Sequence, residues 1–126
     1  MRAPCRRLLD AHGDGTIDIA TTVEVLQEFT HIRARRRSRA DAAELTRLYA
    51  EALTVLETSS DDLGRGLDIF LEHKQIGAFD AVLAGVAIRH DVQALVSADR
   101  AFGEIEGLRH VDPATPRLGR FLPPKG

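Results

Sequence analysis

The stretch Gln93-Ala94-Leu95-Val96-Ser97-Ala98-Asp99-Arg100-Ala101-Phe102 decides the fold. Gln93 to Ser97 is strongly apolar and reads as a strand. Ala98 to Phe102 reads as a helical turn, which sets Asp99 just beyond that strand. In open α/β sheets, active sites gather at the carboxyl ends of strands. Upstream, Gly77-Ala78-Phe79-Asp80-Ala81-Val82-Leu83-Ala84-Gly85 places a second acid, Asp80, at the start of a helix expected from Ala81 to His90. Its small residues, Ala81, Ala84 and Gly85, form one face. A mid-helix Gly costs about 1 kcal/mol relative to Ala, so Gly85 implies close packing of this helix on a sheet.

A third acid, Glu28, lies in Thr21-Thr22-Val23-Glu24-Val25-Leu26-Gln27-Glu28-Phe29. Thr21 is expected to cap a long helix there, with Glu24 completing a capping box. Val25, Leu26, Phe29 and Ile32 fall on one side, and the basic run Arg33–Arg39 ends the helix. Pro4 suits the first turn of an opening helix that runs to about His12. Gly13-Asp14-Gly15 turns the chain into a strand over Thr16–Ala20. A helix over about Ala40 to Ala52, a strand over Thr54–Thr58, a helix capped by Ser59-Ser60-Asp61-Asp62 and a last strand over Leu108–Asp112 complete the order. Alternation of this kind argues for a parallel sheet covered on both faces.

The chain has 126 residues, enough for a single core, and 44% of them are hydrophobic. One cysteine, Cys5, excludes an internal disulfide and a thiolate metal site, and suits a reducing cytosol. No apolar run is long enough to span a bilayer, and no signal peptide is evident. A formal net charge of −2 gives no global attraction to nucleic acid, so RNA binding would rest on a local basic patch. The five His have no metal-ligand spacing and read as surface or capping residues. A nucleophile elbow and a Gly-rich phosphate loop are both missing. Carboxylates converging at a sheet edge point instead to Mg²⁺ or Mn²⁺ and phosphate-ester chemistry.

Taken together, the three acidic segments resemble the PIN-domain family, and in particular the VapC-type toxins of bacterial toxin–antitoxin pairs. Thr22 with Val25-Leu26-Gln27-Glu28-Phe29 is similar to the family's second acidic motif. Phe79 to Ala87 is similar to its third, a helix opening on Asp-Ala with small residues following. Leu95 to Phe102 is similar to its fourth, in which Ser97 precedes the acid and an aromatic follows. Each motif alone is a few common residues; three in order over about Arg2 to Pro113 are fairly specific. The family's first motif, an Asp closing an N-terminal strand, has no match here, which implies a start assigned too late or a truncated or degenerate member.

The resemblance implies a three-layer α/β/α fold with a central parallel sheet that lacks its N-terminal strand. It implies one PIN-like domain over residues 1–113, with 114–126 as a loose tail. It further implies a cytoplasmic, divalent-metal-dependent endoribonuclease toxin that binds an RNA substrate, forms a homodimer and is silenced by a cognate antitoxin. Glu28, Asp80 and Asp99 would hold Mg²⁺ or Mn²⁺ and carry catalysis, with Ser97 and Thr22 in support. Arg33, Arg35, Arg36 and Arg37 would meet the RNA backbone.

Each residue also has a plainer reading. Glu28 alone is a solvated helix-face acid, Asp80 a helix N-cap, Asp99 the cap of a short turn and Ser97 a turn hydroxyl. The arginines alone are a solvated helix end favoured by the dipole. Two rival functions follow: a catalytically silent PIN-like domain that only binds RNA or a partner protein, and a receiver-like Mg²⁺-binding domain with no nuclease role.

Overall fold

In a computed structural model, residues 2–97 and 99–113 are described. The elements are α1 (Arg2–Gly13), β1 (Ala20–Thr22), α2 (Val23–Arg36), α3 (Arg39–Ala52), β2 (Thr54–Leu56), α4 (Ser60–Glu72), α5 (Ala78–Arg89), β3 (Leu95–Val96), a 3₁₀ turn (Arg100–Glu104) and β4 (His110–Val111). The order agrees with the sequence reading, and both strand pairings are parallel. The expected tail over 114–126 lies outside the described residues.

Boundaries moved where local hydrogen bonds compete for the backbone. The strand expected over Thr16–Ala20 is delayed to Ala20. Thr16 and Ile17 instead donate back to the Ala11 carbonyl and close the end of α1. The Ile19 N–H is taken by His12 Nδ1 at 2.9 Å. Helix α2 starts one residue late, so its N-cap is Thr22 and not Thr21; the Thr22 hydroxyl accepts from the Val25 N–H at 3.2 Å. The expected Glu24 capping box is absent, because the Glu24 carboxylate accepts from the Thr58 hydroxyl across the fold. The cap expected on α4 is present in full: Ser59 and Asp62 satisfy one another's backbone N–H groups.

Helices α4 and α5 pack closely on one another, and glycine makes it possible. A Cβ on Gly66 would lie 2.6 Å from the Val82 Cα, and one on Gly85 would lie 3.0 Å from the Asp62 carbonyl oxygen. The close approach inferred for Gly85 is therefore real, but its partner is α4 rather than a sheet. At one end of this pair Asp62, 1% exposed, is gripped by Arg89: Nε donates to Oδ1 at 2.7 Å and an Nη2 N–H to Oδ2 at 2.9 Å. The main core contains Ile69, Ile76, Ala81, Ala84, Phe102 and Ile105.

The strands form two ladders, β1 with β2 and β3 with β4. Among the described residues no backbone hydrogen bond joins one ladder to the other. A second, small cluster holds Ala11 and Val111, with Leu8, Ile17 and Ala94 packed against it. A groove of about 730 Å³ is lined by residues of both ladders.

Candidate active site

Three elements carry the acids named from the sequence. Gly77 caps α5 through its backbone alone, without a side-chain bond, because the helix begins at Ala78. Asp80 is thus the third helical residue and not the N-cap, where its anion still gains from the helix N-terminus. The break at Gln75-Ile76-Gly77 that sets this start is anchored by Ile76, which is 3% exposed. Asp99 follows β3 and caps the 3₁₀ turn: its carboxylate accepts from the Ala101 N–H at 3.0 Å. Ser97 accepts from the Asp99 N–H at 3.1 Å, so the hydroxyl fixes the backbone at Asp99 rather than its carboxylate. Glu28 is exposed in the second turn of α2.

These carboxylates share one field. Asp80 is half-buried and has no hydrogen-bond or ion-pair partner among the described residues. Its carboxyl is pushed above the usual aspartate range, first by burial and then by the charges of Asp99 and Glu28. The fold therefore brings residues distant in sequence within electrostatic reach of one another. It does not draw them to a single point: among the described residues no three His, Cys, Asp or Glu side chains are placed to hold a metal ion together.

That donor set fits a hard divalent cation in kind. Mg²⁺ takes oxygen ligands, keeps several waters and uses one or two carboxylates directly. A partly buried carboxylate facing two others is a charge conflict that such a cation relieves.

The supporting residues divide. Thr22 is 3% exposed and its oxygen is occupied by the α2 cap, which makes it a structural residue of the site's frame. Arg33 is held by Asp41 at 2.6 Å, within the α2–α3 hairpin. Arg35, Arg36 and Arg37 are exposed at the carboxyl end of α2. Sequence reasoning missed the Asp62–Arg89 pair. An Arg in the last turn of a helix reads as a companion of the dipole, and nothing in the spacing of 62 and 89 betrays their contact. Among the described residues no helix is long and apolar enough to cross a membrane.

The chain is similar to known proteins along most of its length. The PIN domain profile matches residues 2–108. Ribonuclease VapC7 of Mycobacterium tuberculosis is 44% identical over 115 residues, covering 90% of this chain and 79% of the relative. Ribonuclease VapC13 of the same organism and VapC ribonuclease Mb1869c of Mycobacterium bovis are each 29% identical over 108 residues, 84% of this chain and 82% of theirs. No solved structure matches significantly. A profile match across most of the chain and a relative of this identity settle the family: the chain belongs to the PIN domain family.

Proposed function

We propose that the chain is a divalent-metal-dependent endoribonuclease of the VapC type, the toxin of a toxin–antitoxin pair. The observation that carries this reading is the PIN domain match over residues 2–108, with Asp80, Asp99 and Glu28 within electrostatic reach of one another. It is joined by relatives that are named ribonucleases. Asp80 would be a direct ligand of Mg²⁺ or Mn²⁺, with Asp99 and Glu28 completing the acidic field around it. When bound, the ion polarises the phosphodiester and lowers the pKa of a water at the same site.

The chain's own residues do the positioning. The start of α5 presents Asp80 as an anion on a short rigid turn. The Ser97–Asp99 turn orients the second acid, and α2 carries Glu28 to the same edge. Exposed Arg35, Arg36 and Arg37 attract the RNA backbone. Arg33 contributes less to RNA, because it is engaged by Asp41. Residues 1–113 form the domain, working in the cytoplasm as a homodimer under the control of an antitoxin.

The test is cleavage of a mixed RNA pool by the purified chain with Mn²⁺ or Mg²⁺, with EDTA, and with Asp80→Asn. Metal-dependent cleavage that falls at least about 100-fold in Asp80→Asn is the expected result. A second readout is thermal: Mn²⁺ raises the melting temperature of the wild-type chain and leaves Asp80→Asn unmoved. Stabilisation by metal without any cleavage would leave the silent-domain reading in its place.

A further inference from the structure

His110 has no role in the proposed chemistry itself, yet it stands against the turn that carries Asp99. In the β3–β4 ladder Leu95 pairs with His110 and Val96 with Val111. The Leu95 N–H donates to the Arg109 carbonyl, and the Ser97 N–H to the Val111 carbonyl. The two strands of a parallel ladder donate in turn, so the next bond would run from the N–H of residue 113 to the Ser97 carbonyl. Residue 113 is proline, which has no N–H to give. The ladder would therefore stop one bond short, two residues before Asp99. The His110 side chain fills that gap: Nε2 lies 2.6 Å from the Ser97 carbonyl oxygen. A carbonyl only accepts, so Nε2 carries the proton and donates.

The same ring reaches the far side of the acid. Its centroid lies 6.2 Å from that of Phe102, at an interplanar angle of 37°, and Phe102 is itself buried. A Cβ on Gly103 would meet His110 Nδ1 at 3.6 Å, so ring and turn are in van der Waals contact there. Phe102 and Gly103 belong to the 3₁₀ turn whose N-cap is Asp99. One imidazole thus holds the backbone before Asp99 by a hydrogen bond and the turn after it by packing. Between the two grips lie the bonds that set the acid. The Asp99 N–H donates to the Ser97 hydroxyl at 3.1 Å, and the Ala101 N–H to the Asp99 carboxylate at 3.0 Å. Asp99 is exposed, so burial does not secure either bond.

We propose that His110 is a positioning residue for Asp99. Its Nε2–H replaces the ladder donor that Pro113 lacks and fixes the turn that presents the Asp99 carboxylate. The contact stands by itself; its consequence, firmer metal binding and faster cleavage, rests on the nuclease reading.

The experiment compares the full chain with two variants. His110→Phe keeps a ring against Phe102 and deletes the donor; His110→Gln keeps an N–H at a similar reach and deletes the ring. Amide hydrogen exchange without metal is the first readout. In His110→Phe the Asp99 and Ala101 amides should exchange at least about tenfold faster while those of α4 and α5 are unmoved, and in His110→Gln they should stay within about threefold of wild type. The second readout is a Mn²⁺ titration followed by melting temperature: His110→Phe should need at least about threefold more Mn²⁺ for the same shift. Its RNA cleavage, reduced at low Mn²⁺, should recover as the metal is raised. Unchanged exchange in His110→Phe, equal loss in both variants, loss spread over α4 and α5, or an unchanged Mn²⁺ requirement would each overturn the proposal. If the wild-type chain takes up no Mn²⁺ and cuts no RNA, it is the nuclease reading that fails, and the exchange comparison still decides whether His110 holds Asp99.

Discussion

Helix α5 has an aspartate at each end of its packing, and the two meet opposite fates. Asp62, docked beside its carboxyl end, is buried and held well below the ordinary range, at about 2, by the Arg89 guanidinium. Burial opposes this and bonds from Ser59 assist it. Asp80, in its first turn, is half-buried without a partner among the described residues and is pushed upward by burial and by two like charges. The lesson is that one helix can carry a carboxylate that serves the fold and another that strains against it. Environment, not residue type, separates them.

The largest effect should come from breaking the satisfied end. Asp62→Ala removes both Arg89 bonds and the capping box, and should cost about 3 kcal/mol in urea unfolding. Arg89 is 38% exposed and regains water, which keeps the loss below that of a fully buried pair. A loss under about 0.5 kcal/mol would put Asp62 among ordinary surface acids and end the contrast.

Next comes Gly66→Ala. Alanine favours the helix by about 1 kcal/mol, yet its methyl would meet the Val82 backbone at 2.6 Å. The net expectation is about 1–2 kcal/mol of destabilisation, read from the melting temperature. A more stable variant would show that α4 and α5 can part at no cost.

Acid sharpens the comparison. A carboxyl whose folded pKa lies below its unfolded one adds stability that is complete above the unfolded value. That stability is lost as pH falls through the folded value. For Asp62, moving from 3.8 to about 2, about 2 kcal/mol should disappear between about pH 5 and pH 2. Asp80 has the opposite sign: its raised pKa makes the native state bind its proton more readily, so its contribution to stability grows as pH falls. In Asp62→Ala the acid-side loss should shrink, and this is measured by unfolding at stepped pH.

The smallest effect on stability belongs to Asp80→Asn. Relief of repulsion is screened by solvent, and the helix N-terminus loses a favourable anion, so the change should stay within about 0.5 kcal/mol. The same variant is the one expected to abolish cleavage. A substitution that removes activity and spares the fold is the signature of the strained end; a large stability loss would make Asp80 a second structural acid.

Much of this was legible in the sequence. The element order followed from periodicity and caps, and the Ser59–Asp62 box was readable because its partners are three residues apart. Asp99 and Asp80 were legible for the same reason, since each lies beside the element boundary that positions it. Long-range pairing was not legible. His12 Nδ1 captures the Ile19 amide while Nε2 bonds the Ala52 carbonyl, and this displaces a strand that β-branched residues had seemed to begin at Thr16. Glu24 reached Thr58 instead of its own helix end. Gly85 announced a close approach but not to whom, because a missing side chain specifies space and no partner.

The interlocked glycines give α4 and α5 the mechanics of a single beam. With backbone this near to backbone there is little side-chain volume to repack at the crossing, so sliding or rolling one helix must carry the other. Asp80 rides on that beam. Its place relative to Asp99 and Glu28 is therefore set partly by a crossing point two residues further along α5, and variation at Gly66 or Val82 should retune the acid edge without touching an acid.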